Sequence, residues 1–196
     1  MSTFRAFIAV DLSPEIRTKI DALVGRVRKM PGQECMRFVL ASGIHLTLKF
    51  LGEIPESVGE SLRPAIDRAS AARAAFTVRV RGAGCFPDIR RPRVLWVGLE
   101  EPQGALPSLQ RAVEVECVGL GLPAEDRPFS PHLTLGRVRR EAGAEATSFV
   151  RAVLEREQGV DLGEMTVDSV HLIRSDLRPT GAEYRRLHTA VLKAGR

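Results

Sequence analysis

No apolar run in the sequence is long enough to cross a bilayer: Phe7-Ile8-Ala9-Val10 typifies the longest near the start, against the ~20 residues a membrane helix needs. A transmembrane helix is thereby excluded. A basic segment, an apolar run and a small-residue cleavage site in that order are also missing, because Asp11 and Pro14 interrupt the pattern. No secretory leader is expected, and the cytoplasm is the expected compartment. Cysteine is scarce: Cys35, Cys85 and Cys117 are odd in number and widely spaced, with no Cys-x-x-Cys pair. That argues against a disulfide framework, a zinc knuckle and a dithiol redox centre, and leaves buried free thiols. No glycine-rich phosphate loop follows any expected strand, and no heptad seam demands assembly, so a monomer is expected.

What is present suffices for a substantial core. The chain has 196 residues, 44% of them hydrophobic, which fits one domain or two small fused lobes. Its formal charge is +5 and its cationic residues are overwhelmingly arginine. Arginine's planar fork suits phosphate, although arginine richness serves surface solubility equally well.

Residues 4–12 form an apolar, strand-like run, after which Ser13-Pro14-Glu15 supplies an N-cap, a first-turn proline and an acidic first turn. Ile16, Ile20, Leu23, Val24 and Val27 recur at helical spacing up to Pro31-Gly32. The spacing predicts a strand over 45–51, a helix over 57–72, strands over 76–80 and 94–99, and a helix over 105–118. A strand opening at His132, a helix over 145–157, and strand-like runs over 165–174 and 187–192 complete the chain. The loop between residues 80 and 94 carries the basic run Arg90-Arg91-Pro92-Arg93. By default it is a solvated loop, and near bound RNA it becomes a phosphate-contact patch through Arg90, Arg91 and Arg93. This order of elements argues for an α+β fold.

One internal repeat stands out: His-Leu-Thr-Leu occurs at 45–48 and again at 132–135, which suggests a duplicated, two-lobed architecture. In a strand, residues i and i+2 share a face, so His45 pairs with Thr47 and His132 with Thr134 while the leucines face the cores. Two such strands facing one another make a cleft. Two imidazoles there can move protons at both ends of one displacement, and two threonine hydroxyls can bond the nonbridging oxygens of a phosphate. A lone His-x-Thr is ordinarily structural, but its repetition among only four histidines favours metal-independent phosphodiester chemistry. Two distant histidines could also bind zinc, yet no carboxylate or cysteine accompanies either at ligand spacing. His171 and His188 have no repeated partner and read as structural, and Trp96, the only tryptophan, reads as core, with base stacking the alternative.

The runs His45 to Glu53 and Ser130 to Arg137 closely resemble the two signatures of the two-histidine phosphoesterase superfamily, and more narrowly the LigT-like RNA 2',3'-cyclic phosphodiesterases, historically called 2'-5' RNA ligases. Phe4 to Val10, Arg93 to Gly98, and Ser175 with Tyr184 fit the same pattern, so the likeness spans nearly the whole chain. The resemblance implies a single bilobal α+β domain over residues 1–196, with two pseudo-symmetric lobes, each an antiparallel sheet with helices, and a groove between them. It implies no cofactor and no metal, with RNA bearing 2',3'-cyclic phosphate ends or cyclic nucleotides as partner, tRNA fragments among them. By the same resemblance His132 is the general base and His45 the general acid, roles that exchange if the site runs ligation. Thr47, Thr134 and Arg137 would hold the phosphate. Strict alternation puts Arg137 opposite His132 and Thr134 unless the strand twists, bulges or ends near Gly136, and favours for Phe50 a core position beside Leu46 and Leu48 over stacking on a base. Besides hydrolysis to 2'-phosphate ends, 2'-5' ligation and non-catalytic RNA binding remain open at this level.

Overall fold

The computed structural model describes residues 2–178 and 181–195. Strand β1 (Thr3–Val10) leads into helix α1 (Pro14–Val27). The Ser13 hydroxyl caps α1 by accepting from the Ile16 amide at 3.3 Å, and the five apolar positions at helical spacing are all buried, each worth roughly 1.5–3 kcal/mol. A short β2 (Met36–Phe38) is followed by β3 (Leu46–Pro55), α2 (Glu56–Ala71), β4 (Phe76–Phe86) and β5 (Val94–Glu100). The chain continues through α3 (Ala105–Gly119), β6 (His132–Val138), α4 (Ala144–Arg156), β7 (Asp161–Val167), β8 (Ser169–Arg178) and β9 (Gly181–Val191).

The strands form two antiparallel sheets, ordered β3-β1-β8-β9 and β2-β6-β5-β4-β7. The fold is α+β with two pseudo-symmetric lobes: β1-α1-β3 in the first matches β5-α3-β6 in the second, and β3-β1-β8-β9 matches β6-β5-β4-β7 in order. The helices trade places. Helix α1 leaves the first sheet to pack against β7 of the second, whereas α3 leaves the second to pack against β3 and α2 of the first. One apolar cluster consequently runs through both lobes, from Ile8 and Leu46 to Leu95 and Leu133.

Two expectations need correction. The single strand anticipated over 165–174 is two strands in different sheets, parted at Asp168; apolar runs on both sides hide a crossing from one sheet to the other that one polar residue marks. Strand β4 extends to Phe86 because Gly82, at φ +72°, absorbs a register shift between Arg81 and Ala83 that other residues rarely adopt.

Candidate active site

Strands β3 and β6 meet where the two sheets adjoin. In both, the two leucines of the repeat are buried, and the threonine between them is half-buried on the opposite face. The pairing then slips at the same place in each lobe. Ile8 pairs with Lys49 but Ala9 with Thr47, leaving Leu48 as the extra residue; Leu95 pairs with Gly136 but Trp96 with Thr134, leaving Leu135 extra. Each bulge reverses the alternation, so the residue five after each histidine returns to the histidine's face. In the second lobe that residue is Arg137, whose charge acts on His132. In the first it is Phe50, which is 62% exposed and lies 6.2 Å from the Phe7 ring. The core position expected for Phe50 is therefore wrong, while the bulge that Arg137 required is present.

Both imidazoles are held alike. His45 Nδ1 meets the Gly43 carbonyl at 3.1 Å and His132 Nδ1 meets the Ser130 carbonyl at 2.8 Å. A carbonyl can only accept, so in each ring Nδ1 carries the proton and Nε2 is the nitrogen left for chemistry. Phe7 and Tyr184 approach His45 edge-on at 5.7 and 5.2 Å, and Phe86 approaches His132 at 4.8 Å. Trp96 is not in the core cluster: it flanks His132 at 6.4 Å and Phe86 at 5.1 Å. Its ring lies over Gly84, where a Cβ would come within 2.2 Å of it.

The electrostatics of the lobes differ. Burial pushes His45 below the ordinary histidine value; the Asp11 carboxylate and Gly43 carbonyl oppose this, and Arg17 and Arg186 add to it. Burial likewise lowers His132, the Ser130 carbonyl opposes, and Arg137 lowers it further. Asp11 Oδ1 stands 3.5 Å from His45 Nε2. Opposite His132 the corresponding position is Gly98.

His171, read as structural, is buried on the groove side, with its Nε2 3.8 Å from Asp11 Oδ2. His188 is structural as expected, tying β9 to α2 through Asp67 at 2.8 Å. Arg90, Arg91 and Arg93 are exposed; Asp88 holds the backbone amides of the first two, and no described contact joins their side chains to either histidine. Sequence reasoning missed Asp11, Phe7 and Phe86. Asp11 was detectable only as the polar residue that continues the odd-numbered face of β1. All three cysteines are free, and burial raises Cys117 to about 12. Among the described residues no three His, Cys, Asp or Glu side chains are grouped as a metal site, and no helix is long and apolar enough to cross a membrane.

Residues 12–179 match the model of the 2'-5' RNA ligase superfamily. The chain is 34% identical over 180 residues to an RNA 2',3'-cyclic phosphodiesterase of Methanothermobacter thermautotrophicus, covering 92% of this chain and 94% of that one. A Thermus thermophilus protein of the same name is 34% identical over 195 residues, covering 96% of this chain and 90% of it. Among solved structures, one from Thermus thermophilus superposes with a TM-score of 0.79 at 31% identity, over 98% of this chain and all of that one. E. coli LigT in complex with 3'-AMP superposes with a TM-score of 0.76 at 28% identity, over 97% of this chain and 99% of that one. The chain belongs to the 2'-5' RNA ligase superfamily.

Proposed function

We propose that this protein hydrolyses RNA 2',3'-cyclic phosphate ends to 2'-phosphate ends, without metal or cofactor. The observation that carries the reading is the pair of imidazoles held alike, each with Nδ1 fixed by a carbonyl, Nε2 engaged in no hydrogen bond among the described residues, and a threonine two residues on. Water attacks phosphorus in line with the P–O3' bond. His132 Nε2 takes the water proton as the new P–O bond forms, and His45 Nε2 gives its proton to O3' as that bond breaks. The Thr47 and Thr134 hydroxyls and the Arg137 guanidinium bind the nonbridging oxygens, where charge builds up. Burial, with Arg137 adding to it, shifts His132 toward its unprotonated form, the form a base requires. After one turnover the two rings have exchanged protonation states and return through solvent.

Both histidines come from one chain, and one core joins the lobes, so residues 1–196 act as a single bilobal domain and as a monomer. RNA ends, including tRNA fragments, and cyclic nucleotides are the substrates, in the cytoplasm. Arg90, Arg91 and Arg93 contact the RNA backbone beyond the scissile phosphate. Relatives across the family carry the phosphodiesterase name, and the E. coli neighbour holds a nucleoside monophosphate.

The test is incubation with a short RNA ending in a 2',3'-cyclic phosphate, with and without EDTA, resolving 2'- from 3'-phosphate products and joined from unjoined strands. EDTA-resistant 2'-phosphate supports the proposal. Joined strands instead assign the site to 2'-5' ligation, EDTA-sensitive turnover to a metal, and RNA binding without turnover to a recognition module.

A further inference from the structure

The two halves of the groove are built on one plan, and they differ in charge at two matching positions. Five residues after each histidine stand Phe50 and Arg137; across the strand pair from each histidine stand Asp11 and Gly98. Asp11 is the residue after Val10, which pairs with Leu46, so it lies opposite His45. Because β1 runs between β3 and β8, the same carboxylate also reaches His171.

Asp11 is fixed from behind. Arg186 on β9 donates to its Oδ2, and His171 Nε2 lies 3.8 Å from that oxygen. The tautomer of His171 follows from its neighbours. Ser169 Oγ donates its single proton to Asp168 at 2.8 Å, so toward His171 Nε2, 3.4 Å away, it can only accept. His171 therefore carries its proton on Nε2, on the Asp11 side, while Nδ1 accepts from the Thr189 hydroxyl at 3.0 Å. At 3% exposure His171 is screened from water. Asp11 is left with one oxygen toward His45, at 3.5 Å. That is too long for a firm hydrogen bond, so the Nε2 proton of His45 stays available to a leaving group.

We infer that Asp11, held by Arg186 with His171 beside it, is the positioning residue that keeps the His45 imidazolium in place as proton donor, and that Gly98 leaves His132 without such a counter-charge. The inference rests on the two-histidine reading above and adds what distinguishes the two rings. His45 faces Asp11 and Phe7 from the β1 side, Arg17 from α1, His171 from β8, and Tyr184 and Arg186 from β9. Of the charged groups among these, only the Asp11 carboxylate favours the cation.

The experiment is an NMR titration of the histidine ring protons in the full chain, with resonances assigned through His45→Gln and His132→Gln, alongside the pH profile of kcat/KM. Asp11→Asn is nearly isosteric and can still accept from Arg186. It is expected to weaken proton binding at His45 on the order of tenfold, the scale of one charge a few ångströms away at a partly solvated site. His132 should move far less, and the alkaline limb of the profile should shift to lower pH with the acid limb in place. Arg186→Gln should do the opposite at His45, strengthening proton binding, which keeps the inference testable if the asparagine variant folds poorly. An unmoved His45 titration in Asp11→Asn, or equal movement of both histidines, overturns it. The titration needs no turnover, so a failure of the proposed substrate is read separately from a failure of the Asp11 assignment.

Discussion

At the scale of the residue, a nitrogen on which chemistry depends must be free while the rest of its ring is not. The carbonyls of Gly43 and Ser130 meet this requirement identically. Replacing either His45 or His132 by Ala removes one proton transfer, and each should cost at least ~100-fold in kcat without unfolding the protein. Because the two act in one step, the double variant should be scarcely worse than the poorer single one, which single-turnover assays at fixed pH can check. Thr47→Ala and Thr134→Ala lose one hydrogen bond to a charged oxygen and should cost less. Arg137→Gln has a distinct signature. The arginine disfavours protonated His132, so its loss raises the affinity of the base for protons. The acid limb of kcat/KM should move to higher pH, with the limbs read as properties of the coupled pair; a loss of rate with an unshifted limb would confine Arg137 to phosphate binding.

At the scale of the element, the bulge matters more than the strand. The repeat made His45, Thr47, His132 and Thr134 legible, because period-two alternation holds over those four residues. Beyond them it fails in both lobes, at Leu48 and Leu135. Nothing in the local sequence marks a residue that will be left unpaired, so alternation alone sends Phe50 to the core and makes Arg137 conditional on a bulge. The same limit hid the groove-side role of Asp11 and His171: their closeness depends on β1 lying between β3 and β8, a pairing that local pattern does not encode. Caps and 3.6-residue spacing are local, so the ends of α2, α3 and α4 fall within a residue or two of expectation, whereas α1 ends at Val27, short of the Pro31-Gly32 stop. The β4–β5 loop is legible in composition but not in reach. If Arg90, Arg91 and Arg93 touch RNA phosphates, changing all three to Gln should raise KM for an RNA oligomer. It should also reduce the steepness of its salt dependence by about 2, from ~0.7 per contact on a single strand. An unchanged slope would return the loop to solvent.

At the scale of the whole molecule, two lobes must be held in fixed relation if two nitrogens are to flank one phosphorus atom. The exchange of α1 and α3 between lobes supplies part of that rigidity, and one buried ion pair supplies another. Lys49 follows the first repeat directly, and its side chain is only 4% exposed. The Leu48 bulge that turns Phe50 outward turns Lys49 inward, where it donates to Glu114 on α3 at 2.8 Å and to the Pro123 carbonyl at 2.9 Å. Glu114 also accepts from the Glu125 amide at 2.9 Å. The strand that follows His45 is thus tied to the segment that delivers Ser130, Pro131 and His132. Lys49→Met removes the cation and leaves a largely buried carboxylate and a carbonyl unanswered. Breaking such a pair from one side costs about 3–5 kcal/mol, or roughly 6–20 °C in Tm for a chain of this length. Adding Glu114→Gln neutralises the stranded charge and should restore part of the lost Tm. Activity should behave differently: with the loop before His132 untied in both variants, kcat measured well below Tm should stay depressed in the double variant even as its stability recovers. Full recovery of kcat with Tm would show that Lys49 contributes stability alone and that the lobes keep their register without it.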